Sequence, residues 1–158
     1  MIFLDSSALA KAYVEEEGTD TVHGVLTRMS DYLFVSDFVA LEVLVVLRNQ
    51  LRHGPKSRYQ KALSEFASDY PGLFNLVDVD ETTRRRAKSL TLEKIESKAR
   101  AMDVLHVASA LKLQKAFPAQ EVTVASSDRD LLDLARSVGL GTFDPRIEPL
   151  AALPKRPP

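Results

Sequence analysis

The order of apolar and polar positions divides the chain into short strands separated by helices. Ile2, Phe3 and Leu4 form a brief, wholly apolar run closed by Asp5, the pattern of a strand buried on both faces. A helix is predicted over 8–17, ended by Gly18, and a second over 20–30. Residues 32–36 (YLFVS) read as the next strand, and Ser36-Asp37 then supplies an N-cap for a long apolar helix from 38 to 51, stopped by Gly54-Pro55. A helix over 57–69 ends at Pro71-Gly72, and β-rich residues follow from 73 to 79. Helices over 81–96 and 100–115 lead past Pro118 to a strand over 121–125. A helix over 130–137, ended by Gly139, and a strand over 140–143 complete the alternation.

No tight hairpin signal such as Asn-Gly lies between these strands, so their connections must be crossovers and the sheet largely parallel. The fold class expected is α/β, a three-layer sandwich in which a central, mostly parallel sheet of about five strands is flanked by helices. At 158 residues the chain has room for one core. A single domain is expected over 1–149, with a flexible, proline-bearing tail over 150–158.

Composition narrows the function classes. With 45% hydrophobic and 27% charged residues the chain is an ordinary globular sequence, which excludes disordered and collagenous readings. It has no cysteine, so a disulfide scaffold, a thiolate zinc site and a cysteine nucleophile are all excluded. No run approaches the ~20 apolar residues of a membrane span, and the opening apolar run is too short for a signal peptide. A cytoplasmic protein with no membrane partner is the expectation. The net charge of −1 conceals an uneven distribution. Between Glu42 and Glu65 there is no acidic residue, while Arg48, Arg52, Lys56, Arg58 and Lys61 fall there; Arg84, Arg85, Arg86 and Lys88 form a second basic block.

In open parallel sheets the ligand crevice lies beyond the carboxyl ends of the strands. Asp5 and Asp128 each follow a predicted strand, although Asp5-Ser6-Ser7 and Ser126-Ser127-Asp128 also read as helix N-caps. Glu42 sits within FVALEVLVVL, which offers no polar stripe to solvate it. A carboxylate there needs a cation, hydrogen bonds or a raised pKa, and a buried salt bridge to an arginine is the structural alternative. In the alanine-rich helix ARAMDVLHVASAL, Asp103, His106 and Ser109 recur at i, i+3 and i+6 and are expected to share one polar face. The structural alternative here is a core histidine bonded to Asp103.

Four carboxylates from distant segments suit a hard divalent cation, magnesium or manganese, that activates water and neutralises a phosphodiester. Zinc is disfavoured because His23, His53 and His106 lack ligand spacing. Gly-rich phosphate loops, G-x-S-x-G and H-E-x-x-H are absent from the sequence.

Taken together, FLDSSALAKAYVEEEG, SDFVALEVLVVLR, AMDVLHVASAL and VTVASSDRDLL, in that order, with the closing GTFDPRI, resemble the PIN-domain ribonucleases, specifically the VapC-type toxins of toxin–antitoxin pairs. The resemblance runs from residue 2 to about 149. It implies a PIN-like sandwich with Asp5, Glu42, Asp103 and Asp128 on the family's acidic metal positions and Asp130 as a further contributor. It also implies Ser6 and Ser126 as hydroxyls that support the metal site or contact phosphate. Magnesium- or manganese-dependent RNA cleavage, a homodimer and a silencing antitoxin follow from it as expectations. Arg48, Arg52, Lys56 and Arg58, along and just past the Glu42 helix, become candidates for RNA phosphates, against the alternative of a solvated charged face. Two other classes compete. One is a catalytically silent RNA- or protein-binding module on the same scaffold. The other is a phosphatase or receiver domain with Asp5 as acyl-phosphate nucleophile, disfavoured because Ser7 stands where the haloacid-dehalogenase pattern has a second aspartate.

Overall fold

The computed structural model describes residues 1–155 and begins with β1 (Ile2–Leu4), whose alternation sets the architecture. Ile2 and Leu4 belong to one core cluster and Phe3 to the other, and all three are fully buried. Successive side chains of a strand point to opposite faces, so three residues suffice to demand cover on both sides. On the Ile2 and Leu4 side lie α1 (Ser6–Leu9), α2 (Thr19–Arg28), α3 (Asp37–His53) and α4 (Lys56–Leu73), which contribute Leu9, Val25, Val43 and Phe66. On the Phe3 side lie α5 (Glu81–Glu93), α6 (Ala101–Ala116) and α7 (Arg129–Ser137), which contribute Leu90, Val107 and Leu131.

The remaining strands are β2 (Leu33–Ser36), β3 (Asn75–Val77), β4 (Thr123–Ala125) and β5 (Gly141–Phe143). Their order is β3-β2-β1-β4-β5, and every pairing is parallel. The expected α/β three-layer sandwich is therefore what forms. β1 pairs with β2 through Phe3 opposite Phe34 and with β4 through Phe3 opposite Val124. The chain winds outward from β1 through β2 to β3, then returns to build β4 and β5 on the other flank. The switch point of the sheet thus lies between β1 and β4, and a crevice opens beyond their carboxyl ends. Asp5 and Ser126 are the residues that leave those ends.

Four local expectations are corrected. The helix predicted over 8–17 is the short α1 followed by a 3-10 turn, Ala10–Ala12, because Asp5 caps the chain earlier, at Ser6. Gly18 does not simply end that segment but takes φ +92° as the N-cap of α2, with Pro145 O only 2.9 Å from where a Cβ would stand, so no other residue fits there. The predicted stop at Pro71-Gly72 is overrun, and α4 continues to Leu73. The segment after 149 does not hang free along its length. Leu150–Ala152 form a 3-10 turn, Leu150 packs directly over Gly24, and Leu153 is buried, since these apolar side chains have a core surface to cover. The end of the expected flexible tail, 156–158, lies outside the described residues. Among the described residues no helix is long and apolar enough to cross a membrane.

Candidate metal centre

Asp5 is both cap and site residue. Its Oδ2 accepts hydrogen bonds from Ser7 N (3.1 Å), Ser7 Oγ (2.6 Å) and Ser126 Oγ (3.0 Å). Its Oδ1 is left facing His106 Nε2 at 3.7 Å. Asp128 divides its oxygens in the same way: Oδ1 caps α7 by accepting from Asp130 N (2.9 Å) and Leu131 N (3.3 Å), while Oδ2 receives Arg100 Nη2 at 2.7 Å. Capping and site readings are therefore not alternatives, because a carboxylate has two oxygens and each aspartate commits one to its helix. That commitment also fixes where the second oxygen points.

Asp103 stands in the first turn of α6, where its Oδ2 accepts from Arg100 N (2.7 Å) and Arg100 Nε (3.3 Å). Burial holds its pKa above the ordinary carboxylate value, an effect that the bonds from Arg100 oppose and the nearby Asp128 charge reinforces. Glu42, on α3, finds a partner on the opposite layer: His106 Nε2 donates to its Oε2 at 2.6 Å. The other ring nitrogen of His106, Nδ1, hydrogen-bonds to the buried Ser36 Oγ at 3.0 Å. Burial works against a charged imidazole here. The hydrogen bond to Glu42 and the charges of Asp5, Glu42 and Asp103 outweigh it, and the His106 pKa rises above its ordinary 6.5.

These contacts set aside two structural alternatives and correct one expectation, the polar face shared by Asp103, His106 and Ser109. Glu42 pairs with an imidazole instead of an arginine, and His106 bonds Glu42 and Ser36 instead of Asp103. Ser109 leaves the polar face and donates to Leu105 O within its own helix. From Asp103 to Ser109 the helix turns through about 600°, which separates them by about 120° around the axis.

Ligand atoms of Asp5, Glu42 and His106 lie within 4.8 Å of one another, and Asp103 and Asp128 are joined to each other through Arg100. The Asp5, Glu42 and His106 group offers a divalent cation two carboxylates and an imidazole, and the serines and amide caps that hold Asp5 and Asp128 fix the direction of their second oxygens. The hydroxyl that grips Asp5 from its own loop is that of Ser7, which also accepts from Ser127 N (2.9 Å), whereas Ser6 makes no side-chain hydrogen bond among the described residues. Ser126 Oγ serves two site residues, donating to Asp5 and accepting from Asp128 N at 2.9 Å. Asp130 contributes its backbone N–H to Asp128, while its side chain lines a cavity beside α7 with Lys94 and Asp133.

Arg48, Arg52, Lys56 and Arg58 are all exposed. By the ~100° turn per residue, Arg48 and Arg52 lie on the side of α3 that carries the exposed Phe38, Leu41 and Leu44, turned about 120° and 80° from Glu42. Arg58 pairs with Glu15 at 3.0 Å and lines a groove of about 610 Å³ together with Lys11 and Arg146. Sequence reasoning missed Ser7, Ser36 and Arg100. Arg100 carried a usable signal, since an arginine is a poor N-cap and needs another reason to precede Asp103 by three positions.

Compared with protein families, residues 2–137 match the PIN domain. The chain belongs to the PIN domain family. Among solved structures, this PIN domain superposes on FitAcB from Neisseria gonorrhoeae with a TM-score of 0.69 at 15% identity, covering 94% of this chain and 100% of that one. VapC20 of Mycobacterium tuberculosis, a sarcin-ricin loop cleaving toxin, gives 0.65 at 16% identity with coverages of 94% and 100%. PAE2754 from Pyrobaculum aerophilum gives 0.52 at 15% identity with coverages of 89% and 82%. At such identities the likeness is one of fold. A comparison with curated proteins finds no match.

Proposed function

We propose that this PIN domain is a metal-dependent endoribonuclease that cleaves RNA phosphodiester bonds and serves as the toxin of a toxin–antitoxin pair. The reading is supported by Asp5, Glu42 and His106, whose ligand atoms lie within 4.8 Å of one another beyond the end of β1, and by Asp103 and Asp128, which Arg100 joins. Membership of a family whose members are generally nucleases supports it, and a toxin with the same fold supports the biological role.

Asp5, Asp103 and Asp128, with Glu42 beside them, would hold magnesium or manganese, which would supply positive charge against the phosphodiester and lower the pKa of water at the site. The chain's own residues do the positioning. Ser7 and Ser126 keep Asp5 from rotating, the α7 amides do the same for Asp128, and His106 holds Glu42 over the crevice. Arg58 and Lys56 lie at the start of α4, where they are candidates for RNA phosphates further from the cut. The exposed stripe Phe38, Leu41 and Leu44 supports a homodimer. An antitoxin that fills the acidic crevice and a cytoplasmic site of action complete the reading.

Its test is cleavage of a mixed-sequence single-stranded RNA in magnesium or manganese, with a chelator control and the Asp103→Asn variant. Cutting that the chelator stops and the folded variant lacks is the expected result. Folded, antitoxin-free protein that cuts in neither metal leaves a very narrow substrate or a silent RNA- or protein-binding module, and calorimetry with magnesium or manganese decides: no metal uptake identifies the silent module.

A further inference from the structure

Asp103 and Asp128 lie on different helices, and the group that joins them is the guanidinium of Arg100. Nε stands 3.3 Å from Asp103 Oδ2 and Nη2 stands 2.7 Å from Asp128 Oδ2. The two bonds are charge-assisted, yet the side chain is 77% exposed, and exposed ion pairs are weak and readily exchanged. One positive charge therefore occupies the place between two carboxylates that a divalent cation would take, and it leaves the pair half-neutralised. The root of the side chain is better anchored than its head. Arg100 is the N-cap residue of α6, and its backbone N–H is held by Asp103 at 2.7 Å. If the head is displaced, the guanidinium stays within its own length of the centre.

Two other cations are engaged elsewhere. Arg146 grips the buried Asp144 through Nε (3.0 Å) and Nη2 (2.7 Å), and Lys11 is buried against Glu16 at 3.0 Å. Arg100 alone among these three has the centre's own carboxylates as its partners. A planar fork of N–H donors also matches the paired oxygens of a phosphodiester.

Building on the nuclease reading above, we propose that Arg100 is an exchangeable cation of the centre. It bridges Asp103 and Asp128 in the metal-free protein and, once a divalent cation takes those carboxylates, turns its guanidinium to a phosphate of the bound RNA.

The test compares wild-type protein with Arg100→Ala and Arg100→Lys in two binding measurements. In calorimetric titration with manganese and no RNA, Arg100→Ala is expected to bind the metal on the order of fivefold more tightly, having lost its internal competitor. A fluorescent mixed-sequence single-stranded RNA is then titrated with and without calcium, whose loose coordination serves binding more than turnover. In calcium, Arg100→Ala is expected to lose about tenfold in RNA affinity and about 0.7 of salt-dependence slope. Without metal the RNA affinity stays at the wild-type value, because there the guanidinium is already engaged. Arg100→Lys keeps the charge without the fork and falls between. Unchanged or weakened manganese binding by Arg100→Ala overturns the proposal, as does an RNA defect of equal size with and without calcium. Wild-type protein that takes up no manganese overturns the nuclease reading and this inference with it, whereas uptake by wild type with an unaltered variant overturns the inference alone.

Discussion

Asp5 and Glu42 face an imidazole that is fully buried, whereas Asp103 and Asp128 share a guanidinium that is largely exposed. Both halves of the centre set a basic side chain against a pair of carboxylates, but at different depths. In the buried half, Ser7 and Ser126 hold one oxygen of Asp5 and Ser36 holds the second ring nitrogen of His106, so that these buried side chains are fixed by partners from three segments. Such a half is preorganised and expensive to disturb, since removing one member strands the others. In the exposed half, solvent screens the attraction and can replace any partner that leaves. One half is built to stay as it is and the other to exchange.

The largest expected effect breaks the buried half at its acid. Asp5→Asn keeps the shape and the cap while removing the charge, and RNA cleavage is expected to fall roughly 10²–10³-fold. Cleavage rate measured beside circular dichroism checks this, and a folded variant that still cuts at the wild-type rate removes Asp5 from the site.

Stability separates the halves directly. His106→Ala empties a fully buried position and leaves Glu42 and Ser36 without their partner, which should cost about 2–4 kcal/mol in urea unfolding. Arg100→Ala should cost under about 1 kcal/mol in the same experiment. Equal costs would mean that the two halves are not mechanically distinct.

The pH dependence of the metal-free protein is a smaller and more specific test. His106 has a folded pKa raised above its ordinary 6.5, so its contribution to stability is complete below 6.5 and is lost as pH climbs through the raised value. Asp103, raised above 3.8 chiefly by burial, acts with the same sign at lower pH. Chemical denaturation should therefore show stability declining as pH rises above 6.5, and His106→Gln should flatten the curve in that window. A wild-type curve that rises there contradicts the raised pKa of His106.

The smallest effect concerns the outer face of α3. Arg48→Ala and Arg52→Ala should each change RNA affinity by less than about twofold, as ordinary surface substitutions do. A loss as large as that expected for Arg100→Ala would return the RNA path to that face.

The acids of the centre were legible because each breaks a local pattern. Asp5 ends an apolar strand, Asp128 follows another, and Glu42 and Asp103 stand in helices with little polar surface around them. The parallel sheet was legible for a similar reason, since strands separated by helices leave no other connection. His106 was visible as a polar residue in an apolar helix, but its partner was not. The choice of Asp103 over Glu42 as that partner followed spacing within one helix, whereas the bond that forms crosses from α6 to α3, 64 residues away. Ser7 and Ser6 are equivalent by composition, and the start of α1 immediately after Asp5 decides which hydroxyl turns inward.

The sequence by itself therefore determined the layers, the strand ends and the charges placed at them, because periodicity records which side of each element is buried. Only the tertiary structure decided that Ser126 and Ser7 grip one oxygen of Asp5, that His106 bridges to Glu42, and that Arg100 spans Asp103 and Asp128. Those pairings depend on how two helical layers meet over one edge of the sheet. Hydrogen bonds and ion pairs act over a few ångströms between residues that the chain order keeps far apart.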